Sequence, residues 1–165
     1  MRKSRVYLET SFMFYLTGRE TNDVKVASDQ AYTRKWWAEE GPKCDLFTSP
    51  FVIIESNDRD PDYVEKRSEK IAETKLLPID DPLIGQIATK LIELAAIPPK
   101  EVTDAQHVAT AAVAGMDYLL SWNCKHLANP HTFPKTKEVI ESFGLHCPQI
   151  ITPRSYLEDF CDERQ

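Results

Sequence analysis

The chain has 165 residues, 42% of them hydrophobic and 28% charged, with a formal net charge of −6. That size and balance suit one globular domain and exclude a disordered chain, and no apolar run approaches the ~20 residues of a membrane-spanning helix. The acidic pI of about 5.3 excludes a protein that coats nucleic acid by bulk charge. It leaves a nuclease open, because a site built of carboxylates is acidic by construction and a bound cation reverses its local sign.

The start, Met1-Arg2-Lys3-Ser4-Arg5, is basic, but only Val6-Tyr7-Leu8 follows before Glu9. A signal peptide needs an apolar stretch of ~7–15 residues there, so a cytoplasmic location is expected. Residues 5–8 read as a short buried strand that stops at the polar group Glu9-Thr10-Ser11. Residues 24–40 read as a helix with Val26, Ala27, Ala31 and Trp37 as packing positions, ended by Gly41-Pro42. Residues 45–48 are a second strand, followed by an apolar run over 50–56 that carries Glu55. The turn cluster at 57–62 opens another helix through about residue 74, and 75–79 read as a third strand.

Asp80-Asp81-Pro82 has the form of an N-cap with proline in the first turn, launching a helix to about Ala96 that Pro98-Pro99 breaks. Residues 103–114, rich in alanine and valine, read as a buried helix with Gly115 as its stop. The fourth strand is expected at 118–121, a helix at 135–143 ended by Gly144, and the fifth strand at 149–151. Thr152-Pro153 then opens a last helix. Strands alternating with helices imply an α/β fold with a central parallel sheet of about five strands, covered on both faces. No repeat or linker marks a boundary, so residues 1–165 read as a single domain. Cys44, Cys124, Cys147 and Cys161 are widely spaced, without a Cys-x-x-Cys pair. They are expected to be free thiols, neither zinc ligands nor a disulfide framework.

The placement of polar groups is more informative. Glu9 directly follows the first strand, Glu55 closes the segment after the second, and Asn123 lies just past the fourth. Asp104 sits in the first turn of the alanine-rich helix. In open parallel sheets ligands bind beyond the carboxyl ends of the strands. Carboxylates gathered there repel one another unless a cation lies between them, and oxygen ligands suit magnesium or manganese. Each residue also has an ordinary reading. Glu9 can be a solvated strand end, Asp104 a helix-dipole partner, Glu55 a surface acid and Asn123 a turn residue. His107, one turn after Asp104, reads as a partner for a neighbouring carboxylate. The combination carries the functional reading.

That combination is Val6-Tyr7-Leu8-Glu9-Thr10-Ser11, then Glu55, then Asp104-Ala105-Gln106-His107-Val108-Ala109-Thr110-Ala111 leading through Gly115-Met116-Asp117 into Tyr118-Leu119-Leu120-Ser121-Trp122-Asn123. Its order and spacing, over residues 5 to about 155, resemble the PIN-domain superfamily, specifically the VapC-like toxins of type II toxin–antitoxin systems. The resemblance implies a three-layer α/β/α sandwich and a metal-dependent endoribonuclease. It implies a magnesium or manganese ion held by Glu9, Asp104, Asn123 and Glu55, with Thr10, Ser11 and His107 in support. Its expected partners are an RNA substrate and a cognate antitoxin supplied by another chain, with homodimers common in the family and no membrane.

Two positions depart from the family pattern. Glu9 stands where aspartate is usual, and Asn123 where a fourth acid is common, offering a neutral carbonyl oxygen in its place. The second departure keeps open an alternative, a catalytically degenerate PIN module that mainly binds a partner protein. A phosphatase-like site wants Asp-x-Asp where this chain has Glu9-Thr10-Ser11, and five glycines form no Gly-x-Gly-x-x-Gly or phosphate loop. Arg34, Lys35, Arg59, Lys125 and Lys135 read as ordinary surface charges. Trp36 and Trp37 read as packing residues, while Trp122 is near enough to the site to pack or to stack.

Overall fold

The computed structural model describes residues 2–161, with side chains described for 2–159. The elements are β1 (Ser4–Leu8), α1 (Thr10–Thr17), α2 (Val24–Glu39), β2 (Cys44–Thr48), α3 (Pro50–Asn57), α4 (Val64–Ala72), β3 (Lys75–Leu76), α5 (Pro82–Glu93), α6 (Val102–Val113), β4 (Tyr118–Leu120), α7 (Phe133–Ser142), β5 (Gln149–Ile151) and α8 (Pro153–Cys161). The five strands form one sheet in the order β3-β2-β1-β4-β5, and every pairing is parallel. This is the expected α/β/α arrangement. The central strand shows why: Val6, Tyr7 and Leu8 are all fully buried, as a strand covered on both faces must be.

The strand order places the site. From β1 the chain builds outward through β2 and β3, then crosses to add β4 and β5 on the other side. In the register, Val6 lies opposite both Leu46 and Tyr118, and Tyr7 opposite Phe47 and Leu119. The direction of winding reverses between β1 and β4, and the carboxyl ends of those two strands flank a crevice.

Three features differ from the sequence reading. The polar group after β1 starts a helix: Glu9 is the N-cap of α1, accepting from the Ser11 backbone N–H, and Phe12, Met13 and Leu16 bury its inner face. The third strand is only Lys75–Leu76. Leu77 still donates its N–H to the Thr48 carbonyl at 2.8 Å, but Pro78 has no N–H to extend the ladder. The buried face of α2 is Asp29, Gln30, Thr33 and Trp36, while Ala31 is exposed and Val26, Ala27 and Trp37 are half-buried. Trp36 decides this orientation. It packs edge-on against Phe12 at 5.6 Å and Tyr156 at 5.5 Å, which carries Thr33 and Asp29, one and two turns earlier, to the same side.

Cys44, Cys124 and Cys147 are free, with Cys124 exposed; the side chain of Cys161 lies outside the described residues. No helix among the described residues is long and apolar enough to cross a membrane.

Gly18, just past α1, is a tight point. A Cβ there would lie 2.7 Å from the Phe14 carbonyl oxygen and 2.8 Å from Gln30 Nε2. The amide can move, but the backbone oxygen cannot without disturbing the end of α1. Gly18→Ala is expected to lower stability by about 1–3 kcal/mol, read as a reduced midpoint in thermal or urea unfolding.

Candidate active site

All four residues singled out by position line one cleft of about 340 Å³, together with Thr10, Ser11, Arg59 and Glu101. Chain direction explains the convergence. Glu9 leaves the end of β1 with extended backbone, and Asn123 lies just beyond β4. A helix that leads back into a parallel strand begins at the carboxyl end of the sheet, so the first turn of α6 delivers Asp104 there. Glu55 arrives from the last turn of α3, the helix that follows β2.

Hydrogen bonds fix each carboxylate through one oxygen. Glu9, only 5% exposed, uses Oε2 to accept from the Ser11 N–H at 3.0 Å, from the Ser121 hydroxyl at 2.9 Å and from the Ser11 hydroxyl. Ser11 Oγ in turn accepts the Trp122 N–H at 2.8 Å, and Ser121 Oγ the Asn123 N–H at 2.9 Å, which ties the β1 and β4 ends together. Glu55 uses Oε1, accepting from Thr10 Oγ1 at 2.6 Å and His107 Nε2 at 2.5 Å. Asp104 uses Oδ2, accepting from Asn123 Nδ2 at 3.0 Å. The second oxygen of each carboxylate makes no hydrogen bond among the described residues. One oxygen each of Glu9 and Glu55 and a ring nitrogen of His107 lie within 4.8 Å of one another.

Asn123 takes a different part from that of a carbonyl ligand. Its Oδ1 accepts the His126 backbone N–H at 3.0 Å. A backbone N–H can only donate, so this bond fixes the amide orientation and turns the nitrogen toward Asp104. Asn123 thus holds Asp104 in place as a donor.

His107 is fully buried with both ring nitrogens engaged, Nε2 on Glu55 and Nδ1 on the Tyr7 hydroxyl at 2.7 Å, which continues to Ser49 Oγ at 2.7 Å. Burial alone would lower its pKa, but the Glu55 hydrogen bond and the charges of Glu9, Glu55 and Asp104 raise it above the usual histidine value. For Glu55, burial pulls upward and the His107 hydrogen bond and charge prevail, holding the carboxyl below its usual range. Between pH 4.5 and 6.5 the two therefore form an imidazolium–carboxylate pair. In that state Nε2–H donates to Glu55, Nδ1–H donates to the Tyr7 oxygen, and Tyr7, kept neutral by burial, donates to Ser49. Asp104 behaves oppositely: burial first, then the charges of Glu9 and Glu101, push its carboxyl up to about 7. The cleft carries more negative charge than its own residues neutralise.

Sequence reasoning missed Glu101, Ser121, Tyr7 and Arg59. Glu101 is the N-cap residue of α6, three positions before Asp104, and Pro98-Pro99 obscured how early that helix begins. Ser121 stood within the Leu-Leu-Ser-Trp-Asn run without a role. Arg59, read as surface charge, lines the cleft with its guanidinium 5.8 Å from the Phe14 ring. The buried Arg67 of α4 secures that loop, donating to the carbonyls of Ser56 at 2.7 Å, Asp60 at 3.2 Å and Arg59. Arg34, Lys35, Lys125 and Lys135 are exposed and line none of this cleft.

No protein-family model matches the chain, and no curated protein sequence matches it. Among solved structures it is similar to VapC20 of Mycobacterium tuberculosis, described as a sarcin–ricin loop cleaving toxin. The identity is 15%, the match covers 73% of this chain and 92% of that chain, and the TM-score is 0.52. At that identity the likeness is one of fold, and it bears out the VapC-like PIN fold that the sequence motifs implied.

Proposed function

We propose that this chain is a metal-dependent endoribonuclease and the toxin of a toxin–antitoxin pair, with residues 1–165 acting as a single domain. The observation that carries this reading is the division of labour within the carboxylates. Glu9, Glu55 and Asp104 are each clamped through one oxygen while the other makes no hydrogen bond among the described residues, in a cleft they share. Like charges held this close are destabilising without a cation, and Asp104 is already pushed toward its protonated form. An all-oxygen donor set of this kind fits magnesium or manganese. When bound, such an ion neutralises charge on a scissile phosphate and acidifies water.

The chain's own residues then divide the remaining work. Glu9 and Asp104 hold the cation, with Asn123 orienting Asp104 and the two serines orienting Glu9. Glu55, kept ionised by His107, orients an attacking water through its free oxygen. Arg59 supplies the positive charge that draws the phosphate into an otherwise acidic cleft. The fold likeness to a toxin that cleaves the sarcin–ricin loop supports RNA as the substrate class. On the same reading a separate antitoxin chain covers the cleft, the toxin acts in the cytoplasm, and it pairs as a homodimer.

The test is cleavage of several structured and single-stranded RNAs in magnesium or manganese. Cleavage is expected to need the ion, stop with chelator and fall by about 100–1,000-fold in Glu9→Gln, the loss of several kcal/mol of charge stabilisation. Equal rates in wild type and Glu9→Gln, or rates indifferent to chelator, would contradict the proposal.

A further inference from the structure

A larger pocket of about 810 Å³ adjoins the acidic cleft, and Tyr15 and Trp122 line both. Their rings sit 5.5 Å apart, tilted by 49°. The Trp122 indole is fixed at its edge, donating from Nε1 to Thr33 Oγ1 at 2.7 Å. One turn before Thr33 on the same face of α2 is Asp29, another lining residue of the pocket. Asp29 is only 9% exposed, and its carboxylate makes no hydrogen bond or ion pair among the described residues. Lys25 and Arg154 attract it through space, though less strongly than burial disfavours its charge.

The residue is mostly covered, but its carboxylate oxygens open onto the pocket, and it sits where the helix pattern would place an apolar residue. Its two oxygens want two adjacent N–H donors from whatever enters the pocket. Among the bases, guanine presents such a pair, N1–H beside the N2 amino group. Adenine and cytosine place an acceptor next to their amino group, and uracil has one donor between two carbonyls. Unstacked RNA bases are read in this way, by hydrogen bonds to the Watson–Crick edge and stacking on an aromatic ring.

We infer that this pocket is a nucleobase subsite for guanine, with Asp29 accepting from its Watson–Crick edge and Trp122 as the stacking surface. The inference rests on the ribonuclease reading only in naming the occupant: a nucleotide flanking the scissile phosphate passes the Tyr15–Trp122 pair to reach the pocket.

The test needs neither metal nor cleavage. Tryptophan emission of the full chain is titrated in chelator with guanosine, adenosine, cytidine and uridine, for wild type, Asp29→Asn and Trp122→Phe. Guanosine is expected to bind wild type about tenfold more tightly than the other three, the discrimination of a bidentate contact. The near-isosteric Asp29→Asn should erase that preference, and Trp122→Phe should remove the emission change. A wild type that selects guanosine yet cleaves no RNA would keep the subsite and sink the nuclease proposal. A wild type that cleaves RNA but binds all four nucleosides alike, or none, would overturn the subsite and leave the groove to a protein segment. Unchanged guanosine selectivity in Asp29→Asn would overturn it too.

Discussion

Replacing Asp104 by asparagine is expected to lower metal-dependent RNA cleavage by about 100–1,000-fold while making the metal-free protein more stable above neutral pH. The two effects have one origin. The amide keeps the shape and can still accept from Asn123, but it carries no charge. In the wild type the Asp104 carboxyl has a pKa of about 7 against 3.8 for the unperturbed group, raised by burial and then by Glu9 and Glu101. The folded state therefore holds a proton that the unfolded chain has released, and the stability of the metal-free protein falls as pH rises between those two values. In Asp104→Asn that decline is absent. At about pH 8 the variant is expected to exceed wild type by something on the order of 2–4 kcal/mol, and to match it near pH 4. Urea unfolding in chelator at the two pH values measures the difference. With manganese added the ranking should reverse at high pH, because only the wild type gains binding free energy from the ion.

His107→Ala is expected to be the most destabilising of these changes, by about 3–5 kcal/mol. The imidazole is fully buried, and its loss leaves Glu55 without its counter-charge and the Tyr7 hydroxyl facing a cavity. The pH dependence identifies the pair. Because His107 has its pKa raised above 6.5, its contribution is full below that value and fades as pH rises through the folded pKa. Because Glu55 has its pKa lowered below 4.5, its contribution is full above that value and fades as pH falls through the folded pKa. The stability difference between wild type and His107→Ala should therefore peak between pH 4.5 and 6.5 and shrink on both sides. Urea unfolding of both proteins across that range gives the profile. A difference independent of pH would show that His107 contributes volume and not charge.

The layout of the site was legible before any contact was known, for a geometric reason. In a parallel sheet every strand end and every helix start that feeds a later strand lies on one side, so Glu9 after β1, Asn123 after β4 and Asp104 in the first turn of α6 had to approach one another. The caps were equally readable: Asp81-Pro82 opens α5, and Gly115 and Gly144, both at positive φ, end helices as their sequence positions suggested. Atomic roles were not readable. Position alone puts Asn123 beside the acids, but the His126 N–H decides which end of its amide faces them. Helix α1 went unseen because its apolar residues span barely one turn and its N-cap is a glutamate, outside the usual Ser, Thr, Asp and Asn. The inner face of α2 was misjudged because one large residue, Trp36, outweighed the small apolar ones and carried Asp29 and Thr33 inward with it.

Manganese binding to the wild-type chain by titration calorimetry tests the central claim most directly, since a cleft that holds no divalent cation cannot act as proposed. Binding at about pH 8 is expected, weakening about tenfold for each pH unit below 7 as a proton competes for Asp104. Glu9→Gln and Asp104→Asn should each abolish it. Manganese bound equally well by the wild type and both variants, or by none of the three, would contradict a metal centre in this cleft.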